Sequence, residues 1–121
     1  MGKLLLALAM AAMGLAGADL AGKWTGTIKL VNDQGEPETK TAYLVLQQDG
    51  DKVTGTAGPD AGEQYAIQAG KVDNGHFTFQ IPEHSMKFDL VPSADEMTGE
   101  ITREEDGKIE KAKISVKREK Q

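Results

Sequence analysis

The sequence contains no cysteine, a single tryptophan and few other aromatic residues, and its acidic side chains outnumber its basic ones. Without cysteine the chain has no disulfide bonds, no thiolate chemistry and no lipid anchor of the cysteine-linked kind. The formal net charge of −5 argues against nucleic acid and anionic lipid as partners, because both bind basic surfaces. At 121 residues the chain forms one domain at most.

A long unbroken apolar run occurs only near the amino terminus, over residues 4–13. This run is too short to span a bilayer. It follows the basic Lys3 and precedes Ala16-Gly17-Ala18, which has the small-residue form that signal peptidase cleaves. The pattern predicts a helical signal peptide over residues 1–18, export to the periplasm or the extracellular space, and no membrane anchor after cleavage. The remaining domain, residues 19–121, has 103 residues and a formal charge of −6, since Lys3 is the only charged side chain removed.

The rest of the sequence shows alternating apolar and polar residues, which is the pattern of half-buried strands. Turn residues separate eight such runs: 22–31, 40–48, 52–57, 64–72, 76–81, 85–91, 96–103 and 108–117. Asn74-Gly75 between two runs favours a type I′ hairpin turn, because both residues readily take a positive φ. Eight strands joined by short connections predict an all-β, antiparallel up-and-down meander.

Such a meander can close into a small barrel or fold into a two-layer β-sandwich, and three features favour the barrel. Gly26, Gly55 and Gly99 fall on the inward-facing positions, where a missing side chain lets a strand coil sharply. No run has the proline of a protected edge strand. The connections after the first, third, fifth and seventh runs are longer than the others, which predicts an open end with loops and a closed end with tight turns.

Large apolar residues occupy most inward-facing positions, and an eight-stranded barrel either packs them as a filled core or holds one small ligand among them. In the fourth run, Tyr65, Ile67 and Ala69 are predicted to face inward. Small residues such as Ala42 and Ala57 leave room for a modest apolar pocket. The residues predicted to line that pocket are Tyr65, Phe77, Phe79, Met86 and Phe88.

The first run begins with Gly22-Lys23-Trp24, which resembles the G-x-W signature of the calycin superfamily, the lipocalins, fatty-acid-binding proteins and avidins. The resemblance implies a barrel whose floor is closed by the tryptophan and by a basic residue near the end of the last strand. Arg118 has the inward parity of that strand and is the expected partner of Trp24, so Gly22, Trp24 and Arg118 are the predicted closure residues. The Thr-Asp-Tyr motif of typical lipocalins and the aromatic box of avidins have no counterpart.

Residue types that often carry catalysis are sparse, since the chain has two histidines, His76 and His84. Both lie in or beside predicted turns, and no G-x-S-x-G elbow accompanies them. Asp49-Gly50-Asp51 lacks the further ligands of a calcium loop and is interpreted as a hairpin turn. We therefore expect no enzyme activity, no metal site and no cofactor.

Two functions remain open. The first is an exported, monomeric, non-enzymatic barrel that binds a small apolar or amphipathic ligand. The second is a filled-core structural or protein-interaction module of the cell envelope, with its affinity on outer strand faces around Tyr43 and Val45. Lys52-Val53-Thr54-Gly55-Thr56 also resembles a phrase of short exported β-proteins of bacteria, a likeness that fits more of the sequence than the G-x-W signature and implies less about function.

Overall fold

The computed structural model describes residues 19–32 and 34–119, so the predicted signal peptide lies outside the described residues. The described chain forms nine strands and a short 3-10 helix, and no part of it is α-helical. The elements in chain order are β1 Gly22–Val31, β2 Pro37–Asp49, β3 Lys52–Asp60, β4 Glu63–Ala66, β5 Gln68–Asp73, β6 His76–Ile81, the 3-10 helix Pro82–His84, β7 Met86–Ser93, β8 Glu96–Glu105 and β9 Lys108–Arg118.

These strands form a closed antiparallel sheet. Strands that follow one another from β5 to β9 pair in order, and β1, β2 and β3 do the same. The last strand returns to the first, with Ile114 opposite Ile28 and Arg118 opposite Trp24. Because β4 and β5 both pair with β3, they share one position in the ring. The fold is therefore the predicted eight-stranded up-and-down barrel, consistent with a calycin-like architecture, and the sandwich is excluded.

Three glycines allow the strands to coil tightly enough for closure. A Cβ atom at Gly26 would lie 1.9 Å from the Ser115 backbone oxygen, and a Cβ atom at Gly99 would lie 2.0 Å from that of Asp89. Gly55 meets a similar obstacle on its neighbouring strand. Since the backbone of the adjacent strand crosses directly over these positions, any side chain would push the strands apart. The predicted role of the three glycines is confirmed.

The fourth predicted strand differs from expectation, because it is broken into β4 and β5 at Ile67. Within β5 the pairing with β6 shifts between Gln68 and Lys71, and Ala69 has a φ of 55°. This β-bulge adds one residue and so reverses which side chains face inward. Ala69, predicted to face inward, is exposed, and Val72 packs against the core instead.

The turns at the two barrel ends follow the prediction in part. Asn74 and Gly75 have φ values of 51° and 80°, as the hairpin turn requires. The sequence predicts longer loops after β3 and β8, but both connections are two-residue turns. The reason is that these strands extend further than their alternation shows, so that Asp60 already pairs with Glu63. At the open end the longer connections are those after β1 and β6.

The closed-end half of the barrel is filled by large side chains. The fully buried residues include Leu20, Trp24, Phe77, Phe79, Leu44, Leu46, Leu90, Met97 and Val116. Nearly all occupy the inward positions that the alternation predicts. The open-end half is packed by smaller or partly buried residues, among them Ala42, Ala57, Ile28 and Met86. Because the side chains fill less volume in the open-end half, the cavity described in the next subsection lies in that half of the barrel.

Candidate ligand-binding cavity

The floor of the barrel is sealed by the segment before β1 together with Trp24 and Arg118. Leu20 is buried, and its backbone oxygen accepts a hydrogen bond of 2.9 Å from Trp24 Nε1. The Arg118 guanidinium lies 4.4 Å from the centroid of the Trp24 ring, in the contact that the calycin resemblance implies. Arg118 also donates hydrogen bonds to the Asp19 backbone oxygen at 2.6 Å and to Asp95 Oδ1 at 3.0 Å. This end of the barrel is therefore closed.

Gly22 is the third predicted closure residue, and its lack of a side chain leaves room for the Arg118 guanidinium. Its φ is 129°, a backbone conformation that residues with a side chain rarely adopt. A Cβ atom there would lie 3.3 Å from Arg118 Nη1. The guanidinium thus passes close over the backbone at the start of β1 before it reaches the indole.

An apolar cavity of about 220 Å³ occupies the open-end half of the barrel. The small side chains of Ala42 and Ala57 contribute to its wall and leave the space that larger residues fill elsewhere. Phe88 lines it and stacks on Phe79, with ring centroids 4.3 Å apart, so the filled half begins directly beneath. The apolar lining consists of Ile28, Ala42, Leu44, Ala57, Pro59, Tyr65, Ile81, Met86, Phe88 and Ile114.

The five residues predicted to line a pocket are divided between the two halves. Tyr65, Met86 and Phe88 line the cavity. Phe77 and Phe79 lie in the filled half, with their ring centroids 5.0 Å apart, and are 0% and 1% exposed. Alternation along a strand predicts which side chains face inward, but the height of each along the barrel axis depends on the stagger between strands.

One wall of the cavity is closed by side chains where strand pairing ends. In the described chain, β4 pairs with β3 on one side, and no strand pairs with its other side. His84, at the end of the 3-10 helix, contacts the edge of the Tyr65 ring there, with centroids 4.5 Å apart. Both residues line the cavity. The sequence predicts a solvated turn at His84, and alternation carries no signal for this contact because it lies outside the strands.

The hydroxyl of Tyr65 is hydrogen-bonded to an acidic residue beside this wall of the cavity. It donates a hydrogen bond to the Glu63 carboxylate. This hydrogen bond is the main reason why the pKa of Tyr65 is raised above its ordinary value of 10.0. Desolvation and the negative charges of Glu63, Glu83 and Asp60 raise the pKa further. Tyr65 is therefore a neutral hydrogen-bond donor at physiological pH.

A second space, here called the mouth, has a volume of about 310 Å³ and adjoins the cavity at the open end. The two spaces share Ile28, Lys40 and Met86. The mouth adds an apolar portion and a charged portion to the site. Its further lining residues are Leu30, Val31, Asn32, Glu38, Ile101, Arg103, Glu110, Lys111 and Ala112. A molecule in the cavity would therefore extend into a region with both kinds of side chain.

Arg103 is the most constrained charged residue of the mouth. Its Nη2 atom lies 2.6 Å from Glu105 Oε1 and 3.3 Å from Glu110 Oε1. Its Nε atom is buried and has no hydrogen-bond partner among the described residues. A buried donor without an acceptor is uncommon in folded proteins and calls for an explanation.

Two further features concern the acidic and histidine side chains of the described residues. Within residues 19–32 and 34–119, no group of three His, Asp or Glu side chains is arranged to hold a metal ion. His76 Nδ1 lies 2.7 Å from Asp89 Oδ1, but this half-exposed pair is on the outer face, away from the cavity. No helix in the described chain is long and apolar enough to cross a membrane.

A wider groove of about 720 Å³ lies on the outer face of the barrel across β5 to β8. It is bordered by outward-facing polar and charged side chains, including Lys71, Gln80, Lys87, Asp89 and Glu100. Phe88 lines both the groove and the cavity, but most of the other residues that line the groove are polar or charged.

No protein-family model matches this chain, and no curated protein matches it in sequence. Function therefore has to be inferred from the geometry of the barrel, the cavity and the mouth.

Proposed function

We propose that this protein is an exported, non-enzymatic β-barrel that acts as a monomer and binds a small apolar or amphipathic ligand in its open-end half. The observation that carries the proposal is the apolar cavity of about 220 Å³, which adjoins the mouth. An eight-stranded barrel has enough interior width for one small ligand.

The cavity walls suit a hydrocarbon group. Aliphatic and aromatic side chains from β1, β2, β3, β6, β7 and β9 face it, together with Tyr65 from β4. Moving apolar surface from water into such surroundings contributes about 25 cal/mol for each Å² buried. Cavities lined by carbon atoms stay dry and accept apolar molecules. The hydrophobic effect therefore supplies the affinity, and the sealed floor leaves the mouth as the approach from the barrel axis.

The amino-terminal sequence supports the location. The apolar run followed by Ala16-Gly17-Ala18 favours export, and the calycin resemblance of Gly22-Lys23-Trp24 favours a ligand-holding barrel. Neither feature identifies the ligand. The class of ligand depends on the side chains that line the cavity and the mouth.

Calorimetric titration with 1-octanol tests the proposal. Ala57 is 2% exposed and lines the cavity, so Ala57→Phe should fill the space and abolish binding. Ala66 is exposed on β4, so the same change there, Ala66→Phe, is the matched control and should leave binding intact. Ala42→Leu offers a milder filling of the same cavity if Ala57→Phe fails to fold, as judged by circular dichroism.

Saturable one-to-one binding by the wild type and by Ala66→Phe, lost in Ala57→Phe, would support the cavity as the site. An absence of binding by the folded wild type, or equal binding by a folded cavity-filling variant, would contradict it.

The alternative function, a protein-interaction module of the cell envelope, is favoured by the outer groove across β5 to β8. Tyr43 and Val45, the sequence-predicted contact residues, lie on β2 and do not border this groove. A pull-down from envelope extract should compare the wild type with the charge reversal Lys87→Glu. A partner that is recovered by the wild type and lost in the variant would favour this function, and equal recovery by both would count against the groove.

A further inference from the structure

We propose that the ligand of this barrel is an uncharged amphiphile whose polar end is an oxygen atom that accepts a hydrogen bond from Arg103 at the mouth. The inference rests on the proposed ligand-binding function and names the class of ligand. It follows from the position of Arg103, from its unpaired nitrogen and from the charges around it.

Arg103 lies where a ligand would leave the apolar cavity. On β8 it is directly opposite Met86 of β7 on one side and Glu110 of β9 on the other. Met86 lines both the cavity and the mouth, and Arg103 lines the mouth. A ligand with its hydrocarbon part beside Met86 therefore has its other end near the Arg103 side chain.

The hydrogen bonding of Arg103 is incomplete on one side of the guanidinium. Glu105 and Glu110 hold Nη2, while Nε is buried and has no partner in the described chain. An acceptor atom from a ligand would satisfy this donor and recover free energy that its burial costs. Because Nε is buried while 43% of the arginine side chain is exposed, the proposed contact requires the side chain to turn toward the mouth when the ligand binds.

The charges at the mouth disfavour a charged ligand. Arg103 is already neutralised by two carboxylates, so a ligand carboxylate would join Glu105 and Glu110 as a third anion around one cation. A ligand ammonium group would compete with Arg103 for the same carboxylates. Among the described residues that line the mouth or pair with Arg103, the cations and anions balance: Lys40, Arg103 and Lys111 against Glu38, Glu105 and Glu110.

An uncharged acceptor avoids both costs. A carbonyl oxygen of an amide or ester accepts a hydrogen bond from Arg103 Nε and adds no charge to the balanced mouth. The apolar cavity selects the hydrocarbon body, and the mouth selects the neutral polar end.

Titration calorimetry of the wild type with three compounds that each carry an eight-carbon chain tests the inference: N-methyloctanamide, octanoate and octylammonium, all at neutral pH. We expect N-methyloctanamide to bind most tightly, by about tenfold over either ion, which corresponds to one good hydrogen bond at the mouth. This ranking needs no variant, so it stays informative whatever the substitutions do to folding.

Arg103→Met removes the donor and keeps an unbranched side chain that extends as far as the Nε position, and Lys108→Met is the matched control outside the mouth lining. In Arg103→Met the affinity for the amide should fall about tenfold. The affinity for octylammonium should rise, because Glu105 and Glu110 lose their cation. If Arg103 had only a structural role, Arg103→Met would bind all three compounds more weakly, and this result would overturn the inference.

The failures of the two proposals can be told apart. Equal binding of all three compounds, or tighter binding of either ion, would overturn the neutral-ligand inference while leaving the cavity as the binding site. If the folded wild type binds neither 1-octanol nor any of the three compounds, both the proposed function and the inference are wrong.

Discussion

Trp24 and Arg118 join the first and last strands at the barrel floor. The calycin resemblance implied a basic partner for the tryptophan, parity along the last strand indicated Arg118, and the guanidinium lies 4.4 Å from the indole centroid. No pattern in the sequence indicated that Leu20 would be buried beside them or that its carbonyl would accept the indole hydrogen bond. That contact depends on the path of the chain before β1, where there is no alternation to interpret.

Replacing Trp24 with alanine should lower the free energy of unfolding by about 3–5 kcal/mol. The reason is that the indole is fully buried and its loss opens a void at the barrel floor and frees the Leu20 carbonyl. Urea unfolding followed by circular dichroism measures the change. Tyr43→Ala, an aromatic deletion at a half-buried outward position on β2, is the control and should cost clearly less. An unchanged unfolding midpoint for Trp24→Ala would contradict the closed floor.

Tyr65 provides a prediction about pH. Its pKa is raised chiefly by the hydrogen bond to Glu63, so the folded state favours the protonated phenol. A raised pKa in the folded state stabilises the fold below the ordinary value near 10, and this contribution is lost as the pH rises through the raised pKa. In a Tyr43→Phe background, absorbance at ~295 nm reports the ionisation of Tyr65 alone.

The midpoint of this absorbance titration should lie above the ordinary pKa of tyrosine. Glu63→Gln should lower the midpoint, because the substitution removes the negative charge and the strong hydrogen-bond acceptor together. If Glu63→Gln left the midpoint in place, the hydrogen bond would not be the principal cause of the shift.

Individual strands were predictable from alternation, except where the fourth predicted strand is broken at Ile67. The glycines at inward positions predicted close strand crossings, which occur at Gly26, Gly55 and Gly99. The bulge at Ala69 was not predicted, because alanine has no special preference for a φ of 55°. Gly70, next to it, is the one local signal, since an isolated glycine inside a strand often marks a bulge.

Gly26→Ala should destabilise the barrel by about 3 kcal/mol, because its Cβ would lie 1.9 Å from the Ser115 backbone oxygen and β1 and β9 would have to separate. Gly62→Ala is the matched control, since its Cβ would lie 3.4 Å from the Asp60 carboxylate in a surface turn. The control should change stability by no more than about 0.5 kcal/mol. Chemical denaturation of the two variants side by side gives the comparison, and equal stability would show that the strands do not cross as closely as described.

At the scale of the whole molecule, closure of the meander was predictable, whereas the position of the cavity along the barrel axis was not. Alternation placed large residues on the inner face, but it could not show that Phe77 and Phe79 lie in the filled half while Tyr65, Met86 and Phe88 border the cavity. That division depends on the stagger of the strands around the ring, which is a property of all the pairings together. Arg103 was not among the predicted site residues for a related reason, because its position at the mouth becomes evident only when β7, β8 and β9 are brought side by side.

The binding of a ligand inside the open-end half is tested most directly by methyl NMR during titration with 1-octanol. Methyl groups of Ile28, Ile81 and Ile114 line the cavity, whereas those of Leu90 and Val116 lie in the filled half and serve as internal references. We predict saturable shifts and ligand-to-protein NOEs at the three isoleucines, with the reference methyls little changed. Unchanged isoleucine signals at high 1-octanol concentration would contradict the proposal, as would shifts confined to outer-face methyls.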